Sequence, residues 1–88
     1  MIHIQFSKEF LRELSKLPKE LQEEVAEKVE AFKDRDNHHR LRVHKLHGPF
    51  IGSWSFSVNY RFRIIFIYSG NKKNDVTLIT IGDHSIYE

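Results

Sequence analysis

Eighty-eight residues, 40% hydrophobic and 30% charged, describe an ordinary globular chain: one domain over residues 1–88 whose small core must be packed efficiently. The lack of cysteine excludes a disulfide framework, a thiolate nucleophile and a cysteine-based zinc site, and it fits a reducing cytoplasm. No apolar run of roughly 18 residues occurs and the N-terminus has no basic stretch leading into an apolar one, so neither a membrane span nor a signal peptide is expected. The net charge of +2 hides a strong asymmetry. Residues 37–74 carry Arg40, Arg42, Lys45, Arg61, Arg63, Lys72 and Lys73 with no Asp or Glu, whereas the segments on either side are net acidic. A one-signed middle attracts polyanions, with nucleic acid the first candidate.

In chain order, Ile2, Ile4 and Phe6 alternate with His3 and Gln5, which predicts a short strand over residues 1–6. Ser7 is placed to cap the following helix, with Glu9 in its first turn and Phe6 and Leu11 positioned for a hydrophobic staple. Phe10, Leu14 and Leu17 form its apolar stripe until Pro18 ends it. Pro18 then opens a second helix, in which Leu21, Val25, Val29 and Phe32 share one face while Glu24 and Lys28 are spaced to pair on the other. Residues 34–41 read as a loop, with Asn37 closing the helix.

The remaining chain reads as strands. Residues 43–47 are predicted as a short one, with Leu46 on one side and Lys45 and His47 on the other, broken by Gly48 and Pro49. Over residues 53–58 Trp54, Phe56 and Val58 alternate with serines, and over 60–68 Tyr60, Phe62, Ile64, Phe66 and Tyr68 alternate against Arg61 and Arg63. A three-residue connection at 59–61 keeps both apolar sets on one face. Residues 69–75 form a further hairpin turn and 76–81 the last strand; with Ile79 and Ile81 facing the helices, His84 faces away. The expected fold class is α+β: an N-terminal strand and a two-helix hairpin packed on one face of an antiparallel sheet, in β-α-α-β-β-β order.

On the face left by the helices this arrangement gathers Lys45, His47, Arg61, Arg63 and His84, with Arg42 and Tyr87 beside them. A polar face is what any half-solvated sheet presents, but this one has imidazoles and guanidiniums with no carboxylate among them. Such a set suits RNA cleavage. A base takes the proton of the ribose 2′-OH, donors hold the charge growing on the phosphate, and an acid protonates the departing 5′ oxygen. The scheme calls for no cofactor and no metal. The spacing of His38, His39, His44 and His47 lacks a carboxylate or thiolate that would support a metal site. His3 and His44 read as structural and Trp54 as core.

The segment KLHGPFIGSWSFSVNYRFRIIF followed by IGDHSIY resembles the RelE/ParE superfamily of type II toxin-antitoxin toxins, through the pattern W-S-x-x-x-N-x-x-x-R-I-I-F and the near-terminal His and Tyr. The resemblance runs nearly end to end. It implies a growth-arresting toxin of the RelE, YoeB and YafQ branch, a ribosome-dependent mRNA endoribonuclease, or alternatively a ParE-like inhibitor of DNA gyrase without chemistry of its own. On these positions Arg63 would stabilise the scissile phosphate, His84 and His47 would transfer protons, and Lys45, Arg61, Arg42 and Tyr87 would hold RNA. Two departures stand out: the catalytic Glu of YoeB has no counterpart in residues 37–52, and Phe62 occupies the place of YafQ's acidic partner. The implied partners are a cognate antitoxin, the ribosome and its mRNA, and operator DNA only through the antitoxin complex, all in the cytoplasm and without a membrane.

Overall fold

The computed structural model describes residues 2–70 and 73–83. Strand β1 (His3–Phe6) leads into helix α1 (Lys8–Ser15) and helix α2 (Lys19–Phe32). Strands β2 (His44–Lys45), β3 (Trp54–Ser57), β4 (Arg63–Ser69) and β5 (Asp75–Gly82) follow. The sheet has the order β1-β5-β4-β3-β2, with β1 parallel to β5 and every other pair antiparallel. The α+β class and the strand-helix-helix start hold, but the sheet is mixed. The helical hairpin carries the chain back across the sheet, so β1 can dock along β5 only in the same direction.

Local chemistry sets the helix limits. The Ser7 hydroxyl accepts from the Phe10 amide and donates to the Ile79 carbonyl, so one side chain caps α1 and ties it to β5. Phe6 does not staple onto Leu11: its ring lies 5.7 Å from that of Phe10, and both Phe6 and Leu11 stay about half exposed. Pro18 stands one position earlier than expected, as the cap of α2. The end of α2 is closed by Asn37, whose amide donates to the Ala31 carbonyl at 2.9 Å from within a short 3-10 turn, Arg35–Asn37. Glu24 does not pair with Lys28; it accepts instead from Asn59 at 2.7 Å.

The core lies between the helices and one sheet face. Phe32 is fully buried, with ring centroids 4.5 Å from Phe56, 4.9 Å from Phe66 and 4.5 Å from His38, whose Nε2 donates to the Phe32 carbonyl. A buried Phe of this kind contributes about 3–5 kcal/mol relative to alanine. Phe10, Val25, Val29, Ile64, Val76, Leu78 and Ile81 complete the layer. In β5 the alternation skips: Phe66 pairs with Leu78 and Ile65 with Thr80, which leaves Ile79 as an extra residue. Leu78 and Ile81, rather than Ile79 and Ile81, therefore face the helices, because a bulge shifts the pattern by one position. His84, whose orientation was inferred from that parity, lies outside the described residues. No described helix is long and apolar enough to cross a membrane.

Candidate functional site

The β3–β4 connection builds the site. Val58 donates to the Phe62 carbonyl and Phe56 pairs with Ile64, so the loop is the expected three residues, 59–61. Asn59 organises it: Oδ1 accepts the amides of Arg61 and Phe62, both at 2.8 Å, while Nδ2 donates to Glu24 of α2. An asparagine side chain that mimics a turn in this way fixes the loop locally, and the Glu24 bond fixes it to the helices. Tyr60 sits at the tip, 93% exposed, so the apolar alternation that would turn it inward stops at the loop. The first residue of β4 is Arg63. Its Nη1 donates to the carbonyls of Asn59 (2.8 Å), Phe62 (3.2 Å) and Tyr60 (3.3 Å), which orients the guanidinium.

Strand parity decides what shares a face with Arg63. Phe56 and Phe66 lie under Phe32 and so mark the helix side. Ser57 pairs with Arg63, Ser55 with Ile65 and His44 with Ser55, all on the opposite side. Trp54 pairs with Phe66 and Lys45 with Trp54, which places Lys45 on the helix side. The expected grouping of Lys45 and His47 with Arg63 is thus reversed: His44 takes that face, and Lys45 rests its ammonium 5.8 Å from the centre of the Trp54 ring. His47 lies beyond the two-residue strand, exposed, at the entrance of the 3-10 turn Gly48–Phe50. The reason is the length of the loop between β2 and β3, which sets the pairing register and is invisible to alternation within either strand.

The face opposite the helices is also less open than expected. Ser55 and Ile65 in its middle are 0% and 3% exposed. What stays open is a hollow of about 390 Å³ lined by Arg42, Ser57, Asn59, Tyr60 and Arg63. Arg42 reaches it from a left-handed backbone, φ +60°, a conformation that costs a non-glycine residue about 1–2 kcal/mol. Its amide donates to the His39 carbonyl, and its own carbonyl accepts from His44 Nδ1 at 2.7 Å. Because a carbonyl can only accept, Nδ1 carries a proton, so the tautomer able to act as a base has its lone pair at Nε2. Arg61 stands apart in the loop, its guanidinium over the Phe62 ring and 4.0 Å from the Asp83 carboxylate. Tyr87 lies with His84 outside the described residues.

Two further features lie on the other face of the sheet. A larger, apolar hollow of about 500 Å³ runs between β1, α1 and α2 and presents no comparable set of basic groups. On the helix side of the β2 edge, Trp54 and Tyr68 meet edge to face with centroids 5.2 Å apart. Burial pushes the Tyr68 phenol above its usual value of 10.0, and the Arg35 guanidinium acts in the opposite direction. Sequence reasoning missed His44, Asn59 and Tyr60. The W-S-x-x-x-N-x-x-x-R spacing was the available signal for Asn59, since an Asn two residues after a strand and before an Arg-led strand is a turn residue.

Neither a protein-family model nor a curated protein matches the chain. Solved structures do. The toxin-antitoxin complex RelBE2 from Mycobacterium tuberculosis contains a chain with TM-score 0.76 and 18% identity, matched over 94% of this chain and 98% of that one. YafQ from Escherichia coli BL21(DE3) gives a TM-score of 0.72 at 12% identity over 98% and 97% of the two chains. The YoeB-YefM complex from Staphylococcus aureus gives 0.70 at 15% identity over 96% and 98%. The strand order, the paired helices and nearly the full length of the chain thus have the fold of RelE-, YoeB- and YafQ-type toxins.

Proposed function

We propose that this chain is the toxin of a type II toxin-antitoxin system and belongs to the RelE/ParE superfamily. In this reading it is an endoribonuclease that cuts mRNA on the ribosome in the cytoplasm and so stops translation, until a cognate antitoxin occupies it. The observation that carries the reading is the hollow where Arg42 and Arg63 converge, with His44 on the same sheet face, in a toxin fold.

The chemistry follows from those groups. The phosphate on the 3′ side of a ribose sits in the hollow, and the two guanidiniums donate N–H bonds to its oxygens, whose negative charge grows in the trigonal-bipyramidal transition state. His44 Nε2 takes the proton of the 2′-OH, and O2′ attacks the adjacent phosphorus. The bond to the 5′ oxygen breaks as that oxygen receives a proton, leaving a 2′,3′-cyclic phosphate and a 5′-hydroxyl end. The acid is assigned to His84, which the resemblance implies as a general acid or base. Tyr60 at the rim offers a ring to the base next to the cut.

The test is primer extension on mRNA in a reconstituted translation system, with and without ribosomes. The reading expects cuts that need ribosomes and that vanish with Arg63→Ala, checked by circular dichroism for retained fold, and slower cutting with Arg63→Lys, which keeps charge but loses the two-pronged geometry. An intact message together with inhibited DNA supercoiling would instead establish a gyrase poison.

A further inference from the structure

The β2 edge carries positive charge on both of its faces. On one side is Arg42; on the other Lys45 stands over Trp54, and Lys73, held in a left-handed backbone at φ +56°, places its ammonium 4.9 Å from the Trp54 centroid and 5.5 Å from that of Tyr68. Arg35 reaches the same corner by donating to the Lys73 carbonyl and to the Asn74 side chain. Among the described residues no carboxylate lies within ion-pair distance of Lys45 or Lys73.

An ammonium held over a ring differs from one held by a carboxylate. The ring quadrupole positions the cation without neutralising it, and leaves N–H donors pointing away from the ring. Two such ammoniums on one indole form a site prepared for an anion. We infer that Lys45, Lys73, Trp54 and Tyr68 form a second nucleic-acid contact, which grips the phosphodiester backbone of single-stranded RNA where it passes over the β2 edge from the Arg42 and Arg63 hollow. The inference deepens the ribonuclease reading by extending its substrate beyond the scissile phosphate. RNA is favoured over an acidic protein segment for two reasons. The cations alternate with aromatic rings, which offer faces and edges to bases, and charge continues around the edge strand to the hollow, as a repeating anion requires. The neutral Tyr68 phenol adds an O–H donor at the same corner.

Trp54 is the only tryptophan, so its emission reports on this site alone. The chain is titrated with a labelled single-stranded oligoribonucleotide at several salt concentrations, reading anisotropy and Trp54 fluorescence together. RNA is expected to change the emission, and K45Q/K73Q is expected to abolish that change and make the log–log salt dependence shallower by about 1.4, at roughly 0.7 per lost phosphate contact. K45R/K73R should retain both. An unchanged salt slope in K45Q/K73Q, or RNA binding that leaves Trp54 silent, would overturn the inference. A tighter emission response to polyglutamate than to RNA would overturn it in favour of an acidic protein partner. None of these readouts needs cleavage, so a chain that fails to cut mRNA but passes them refutes the ribonuclease reading and keeps the RNA contact.

Discussion

Asn59→Ala probes how the site is held in place. The wild-type side chain makes two bonds to backbone amides at 2.8 Å and one to the Glu24 carboxylate at 2.7 Å. A neutral bond contributes about 1 kcal/mol net and one to a charged group about 1.5–3 kcal/mol. Arg61 is exposed, so water replaces part of the loss there, and the total comes to about 2–3 kcal/mol. For a domain of this size that lowers the Tm by about 10–20 °C. Urea denaturation gives the free energy, and a double-mutant cycle with Glu24→Ala isolates the bond between loop and helix. Cleavage should also fall at temperatures where the variant is folded, because the Asn59 and Tyr60 carbonyls orient Arg63. A loss below about 0.5 kcal/mol, the range of an ordinary surface substitution, or a folded variant with full activity would refute the reasoning.

Two other expectations concern protons. His44→Gln should slow ribosome-dependent cleavage by about two to four powers of ten while leaving the denaturation midpoint nearly unchanged, since the ring is exposed; equal rates would remove it as the base. The raised Tyr68 phenol makes stability depend on pH. Its contribution is fully present below the unfolded value of 10.0 and is lost as pH rises through the higher folded value, because the native state keeps the proton longer than the unfolded chain does. Arg35→Gln removes the influence that lowers this value, so the phenolate absorbance of the variant should appear at still higher pH, and Tyr68→Phe should flatten the alkaline loss of stability. A phenolate that appears at lower pH in Arg35→Gln would contradict the assignment.

Much of the fold was legible in the sequence because its signals are local. Ser7 caps α1, Pro18 separates the helices, the stripe ending at Phe32 forms the core, and the three-residue loop at 59–61 follows from keeping Phe56 and Ile64 on one face. The basic character of residues 37–74 was legible for the same reason: charge is a property of composition. Which cations share a face was decided elsewhere. The β2–β3 loop sets the pairing of Lys45 with Trp54, and that single register puts His44 on the same face as Arg63 and sends Lys45 to the opposite side. The β5 bulge at Ile79 likewise reverses the parity that alternation would carry to the end of the strand. Since a strand repeats every two residues, a shift of one position exchanges the two faces completely, and only contacts between distant segments select between those alternatives.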